Sequence, residues 1–199
     1  TGLFEKIKSS WMRLAVGGLA LGGLVFLIPS LYGEGYEPIN NVLNGNYAYL
    51  FEHSLYEKYS ESILAMLVIL FFILVFKVVA TSITFGAGGI GGIFAPSLFI
   101  GSNLGLFTAK ILNLFGANVP ENNFALVGMA GLVAGVIHAP LTAIFLIAEI
   151  TGGYELFMPL MLVATISYAT TRVFTANSVY TIQLAKRGEL MTHDRDKNV

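Results

Sequence analysis

Cysteine is absent from the 199 residues, which excludes disulfides and thiolate metal sites. Charge is scarce. Asp, Glu, Lys and Arg make up 12% of the chain, against about 25% in an ordinary soluble domain. The formal net charge is −1, so the basic footprint of a nucleic-acid binder is missing and no nucleic-acid partner is expected. No set of His, Asp and Glu has metal-ligand spacing, and no nucleophile–base pair stands out. The reading is therefore of no enzyme, no catalytic residue, no metal and no cofactor. The opening TGLFEKIKSSWMRL is not a signal peptide, because the apolar run behind it continues well past an h-region without a clear cleavage site.

What the chain has instead is apolar sequence: 55% hydrophobic residues and a mean hydropathy of +0.74. Apolar segments run over Trp11–Ile28, Ser62–Ala80, Ile93–Phe115, Phe124–Ile137, Leu141–Ile150 and Leu156–Phe174. A spanning helix needs about 20 such residues. The first three approach that length, and Leu141–Ile150 is too short to cross alone. Long and short segments broken by Gly and Pro predict an all-α, polytopic membrane bundle with discontinuous helices. A simple helical anchor is the weaker alternative.

Charge orients the bundle. Lys6, Lys8 and Arg13 precede the first segment, and Lys186, Arg187, Arg195 and Lys197 close the chain. Between residues 29 and 59 stand Glu34, Glu37, Glu52 and Glu57 with Lys58. The positive-inside bias places both ends in the cytoplasm and this loop, with one or two short helices, outside. Residues 186–199 (KRGELMTHDRDKNV) read as a cytoplasmic linker, and 1–185 as the membrane part of a longer protein.

The stretch Gly86–Gly105, GAGGIGGIFAPSLFIGSNLG, carries the chemistry. Gly86, Gly88 and Gly91 spell the G-x-G-x-x-G of a dinucleotide fold, but a long helical run precedes them and the next acid is Glu121, so the required context is lacking. Gly88, Gly89, Gly91 and Gly92 allow close backbone approach, and Pro96 suits a first helical turn. The N–H groups of Ile93 and Phe94 would then face an anion at a positive helix end, with no Lys or Arg to trap it. On physical grounds a glycine-rich helix crossing explains the same residues equally well.

GGIGGIFAPSLFIGSNLG resembles the second anion signature of the voltage-gated chloride channel (CLC) family of channels and proton-coupled antiporters. The likeness extends through KVVATS at Lys77–Ser82, HAPLTAIFLIAEITGG at His138–Gly153 and SVYTIQLAKRG at Ser178–Gly188. It implies chloride held by the amides of Ile93 and Phe94 and by the hydroxyl of Tyr180, a neutral donor. Without the resemblance Tyr180 reads as an aromatic-belt residue. The family's gating glutamate lies in a G-x-E-G-P motif that this sequence lacks. The chain thus resembles the second of two inverted repeats, needing an N-terminal half to complete the site.

By the same resemblance the protein is a multi-pass, plasma (inner) membrane homodimer with one pore per subunit and regulatory CBS domains after the linker. It passes chloride by conduction or by exchange against protons. Leu141–Ile150 and Leu156–Phe174 would form the dimer interface, with Ala143 and Ala148 allowing close packing. Tyr180 argues against the fluoride-exporting branch. Transport of another small anion, and a non-transporting membrane scaffold, are the alternatives. Three polar residues in apolar surroundings get milder readings. Glu149 is structural, Lys77 snorkels toward an interface, and His138 marks a helix break.

Overall fold

The computed structural model describes residues 4, 7, 9–33, 35–52, 54, 56–60, 62–151, 153–182 and 185. The charged residues Lys6, Lys8 and Glu34 and the tail 186–199 lie outside them. Among the described residues there are seven α-helices and no strand. They are α1 (Ser10–Leu27), α2 (Tyr36–Leu43), α3 (Ile63–Gly86), α4 (Phe94–Leu114), α5 (Glu121–Ile137), α6 (Pro140–Thr151) and α7 (Phe157–Phe174). Short 3-10 turns at Pro29–Leu31, Ala48–Leu50 and Glu57–Tyr59 punctuate the segment between α1 and α3. The chain divides into two compact units, Thr1–Met129 and Ala130–Val199.

Among the described residues three helices are long and apolar enough to cross a bilayer by length and composition: α1, α3 and α7. The apolar run Ile93–Phe115 forms α4, 21 residues long and less continuously apolar than α3. Ser97, Ser102, Asn103, Thr108 and Lys110 interrupt its apolar run, and it lies deep in the first unit, with Ser102, Asn103 and Leu106 all buried. In α3, by contrast, only one stripe is buried, Leu70, Ile73, Lys77 and Ala80 at helical spacing. Leu64, Phe71, Phe72, Val75 and Val78 face outward. An apolar surface of this extent is stable against lipid and not against water.

In the first unit α4 packs on α2 and α3. It also meets the start of α5 through glycines. A Cβ at Gly101 would lie 2.7 Å from the Gly128 carbonyl oxygen, and one at Gly105 would collide with the Phe124 carbonyl. Gly101 and Gly105 are four apart and so share a helix face, which lets two backbones touch.

Asn103 ties this crossing to the loop. The Tyr49 hydroxyl donates to Asn103 Oδ1 at 2.9 Å, and Asn103 Nδ2 donates to the Phe99 carbonyl at 2.8 Å. Burial pushes the Tyr49 phenol above its ordinary range and keeps it a donor. Asn103→Leu should strand this buried hydroxyl and cost about 1–3 kcal/mol. Thermal unfolding in detergent tests this, and the double variant Asn103→Leu/Tyr49→Phe should regain most of the loss. A double variant no better than the single would show that the pair is not the cause.

In the second unit α6 packs on α7 and buries Ala143, Ile144, Ile147 and Ala148. Ala143 and Ala148, expected at a subunit contact, pack within the chain. Ala143 is 0% exposed and Ala148 4%, because their small faces are already used inside the chain. The outward large apolar residues of α6 are Leu141, Phe145 and Ile150. The end of α5 is held to α7 by Ser167, whose Oγ donates to the Gly131 carbonyl at 2.6 Å. His138 breaks the chain between α5 and α6 in a left-handed conformation, φ 62°. Its ring sits edge-on to Tyr168, centroids 5.7 Å apart. Glu149 is exposed.

Candidate anion site

Helix α3 must end before α4 can begin, and glycine makes the end abrupt. The Gly89 N–H donates to the Thr84 carbonyl at 2.9 Å and the Gly88 N–H to Phe85 at 3.2 Å. With Gly88 at φ 95°, this is the paired closure of a Schellman motif. A Cβ at Gly89 would lie 2.9 Å from the Thr84 carbonyl oxygen. Gly88 and Gly89 therefore shape the end of α3. Gly91 and Gly92 form the link that follows, and a Cβ at either would meet nothing closer than 3.9 Å.

Helix α4 starts at Phe94 with Ile93 as its N-cap, and no side chain caps it. Ser97 N–H closes the first turn onto the Ile93 carbonyl at 3.0 Å, and Ser97 Oγ donates to the same oxygen at 2.8 Å. Pro96 occupies the third helical position and has no N–H to offer. The remaining donors of the first turn are Ile93, Phe94 and Ala95. Among the described residues no acceptor faces them.

These residues border a cleft of about 720 Å³ within the first unit. Gly91, Gly92, Phe94, Ala95 and Pro96 line it from the α4 side, Lys77, Thr81 and Thr84 from α3, and Leu31, Tyr32, Gly33 and Tyr36 from the loop. The threonine hydroxyls are bonded back to carbonyls four residues earlier, Thr81 to Lys77 at 2.8 Å and Thr84 to Ala80 at 2.9 Å. The cleft thus offers an uncompensated helix N-terminus with its partial positive charge, the condition for holding a small anion by backbone alone.

The sequence-predicted residues fall as follows. Phe94, Gly91, Gly92 and Pro96 line the cleft, Ile93 caps the helix without lining it, and Gly88 and Gly89 lie behind it. Tyr180 belongs to the second unit, in a turn after α7 that is anchored by Val179 N–H donating to the Val136 carbonyl at 3.3 Å. Its side chain is half exposed. Ala95 was missed, although a proline at the third helical position already implies that the second position is the last free donor.

Lys77 was placed wrongly. It does not snorkel. It is 3% exposed, and its Nζ donates to the Leu31 and Gly33 carbonyls, both at 3.0 Å.

Comparison with known proteins agrees with this architecture. Residues 2–172 match the family described as voltage gated chloride channel. A ClcB-like chloride channel protein of Ralstonia nicotianae is 36% identical over 177 residues, 88% of this chain and 37% of the relative. A protein named voltage-gated ClC-type chloride channel ClcB, from Escherichia coli, is 31% identical over 91% of this chain and 39% of its own length. One named H(+)/Cl(-) exchange transporter ClcA, from Vibrio vulnificus, is 34% identical over 87% and 34% respectively. The chain spans well under half the length of these relatives.

Proposed function

We propose, since the chain belongs to the voltage-gated chloride channel family, that the protein it represents moves chloride across a membrane. Transport is by conduction or by exchange against protons, the activities that the relatives' names carry. One observation carries the reading. The start of α4 presents the Phe94 and Ala95 backbone to a 720 Å³ cleft, and among the described residues no acidic side chain lines that cleft. Backbone donors of this kind bind an anion weakly enough to release it.

The Ile93 amide at the helix cap and the Tyr180 hydroxyl are proposed as further chloride donors, on the strength of the motif resemblance. An N-terminal half of the same protein would supply the rest of the ion path. A homodimer in the plasma (inner) membrane, with both ends of this segment cytoplasmic, completes the proposal. The outward apolar faces of α1, α3 and α7 support the bilayer as partner.

The test is anion efflux from liposomes containing the full-length protein. Chloride efflux well above that of empty vesicles, with fluoride far slower, is expected. Efflux of nitrate or fluoride without chloride would favour a different anion, and no efflux of any would favour a scaffold. Tyr180→Phe should weaken chloride binding by about tenfold, the value of one hydrogen bond to a charged ligand, as read by calorimetry. Unchanged binding would remove Tyr180 from the site.

A further inference from the structure

Among the described residues that line the cleft, Lys77 is the one charged side chain. It stands within α3, the most apolar of the described spanning helices. A lysine there is costly unless its donors are satisfied. Two of them are, by the Leu31 and Gly33 carbonyls at 3.0 Å each. The Nζ also lies 4.6 Å from the centroid of the Phe99 ring, within reach of a cation–π attraction. Both hydrogen-bond partners are acceptors and the third neighbour is an aromatic face. That environment suits an ammonium and offers nothing to a neutral amine's lone pair.

The partners come from two places. Phe99 belongs to α4, one turn beyond the proposed donors. Leu31 and Gly33 belong to the turn that links α1 to α2, and Leu31, Tyr32 and Gly33 of that turn line the same cleft, with Tyr36 at the start of α2. Gly33 takes φ 72° and Gly35 φ 96°. A Cβ at Gly35 would come within 2.7 Å of the Phe99 ring, so the turn is pressed onto α4 at the ring that Lys77 covers. One side chain thus joins α3, α4 and the 31–35 turn.

We propose that Lys77 is a positioning residue of the anion cleft, clamping the 31–35 turn against α3 and α4 so that the turn forms one wall of the site. Lys77 is not placed as an anion ligand, since two of its N–H groups are held by carbonyls and the ammonium lies against the Phe99 ring. It contributes positive potential without direct coordination. The clamp stands on the geometry alone, and its consequence for the anion rests on the chloride reading above.

The experiment compares wild type, Lys77→Met and Lys77→Arg in the full-length protein. It measures hydrogen exchange over residues 29–43 and chloride binding by calorimetry. Lys77→Met should speed exchange in the segment and weaken chloride binding, each by about tenfold. Lys77→Arg, which keeps the charge and can still donate to both carbonyls, should restore both to within about threefold. Unchanged exchange in Lys77→Met would overturn the clamp. Faster exchange with unchanged chloride affinity would overturn its link to the site. A wild type that binds no chloride would sink the proposed function and this link with it, while the exchange comparison would still decide the clamp.

Discussion

Replacing Gly105 by leucine is expected to remove folded protein from the membrane fraction, and replacing it by alanine to lower the unfolding temperature sharply. The reason is backbone contact. A Cβ at Gly105 would overlap the Phe124 carbonyl and stand 2.7 Å from the Ala125 Cα. No flexible side chain is there to move aside, so relief requires separating α4 from α5. Overpacking of well-filled sites costs about 1–3 kcal/mol, and more where the backbone must shift. A domain of this kind has about 5–15 kcal/mol in all.

A built-in comparison makes the expectation sharp. A Cβ at Gly131 meets only the Val163 Cγ1, at 2.7 Å, a methyl that can rotate away. Gly105→Ala and Gly128→Ala should therefore lose clearly more stability than Gly131→Ala, by about 2 kcal/mol, or several degrees of melting temperature. Fluorescence-detected chromatography after heating measures all three. Equal losses would mean that close backbone approach does not govern this crossing.

The same glycine stretch shows what a sequence can and cannot disclose. Two explanations stood level for Gly86–Gly105, an anion-binding helix start and a helix crossing. They fall on different glycines: Gly101 and Gly105 make the crossing, whereas Gly91 and Gly92 border the cleft where anion binding is proposed. Spacing alone did not separate them, because the distinction depends on what α5 brings against α4 from outside the stretch.

Helix limits were legible wherever hydropathy stops abruptly. Trp11–Ile28 corresponds to Ser10–Leu27, and Leu141–Ile150 to Pro140–Thr151. The end of α3 was not. The pattern stops at the polar residues after Ala80, yet the helix continues to Gly86. Thr81 and Thr84 satisfy their hydroxyls on carbonyls of the preceding turn, so they cost the helix little. Lys77 was misplaced for a related reason. Its partners, Leu31 and Gly33, are more than forty positions away, and no local pattern announces two carbonyls arriving from another segment.

Ala95→Pro is expected to weaken chloride binding by about 10- to 100-fold while leaving the fold intact. Proline at this position deletes one N–H and nothing that the helix needs. The Ala95 donor is an orphan of the first turn, and a fixed φ near −65° suits that turn. Pro96 already occupies the next position, so the local backbone is known to accept the ring. A hydrogen bond to a charged partner is worth about 1.5–3 kcal/mol, and each 1.4 kcal/mol is tenfold in affinity. Ala95→Gly keeps the N–H and Phe94→Ala removes only a side chain, so both should bind chloride within about threefold of wild type. This pattern separates backbone recognition from every side-chain explanation of the site. If Ala95→Pro remains folded and binds chloride as wild type does, the second helical position makes no contact with the ion. Of the helix-start amides, only those of Ile93 and Phe94 would then remain to hold the anion.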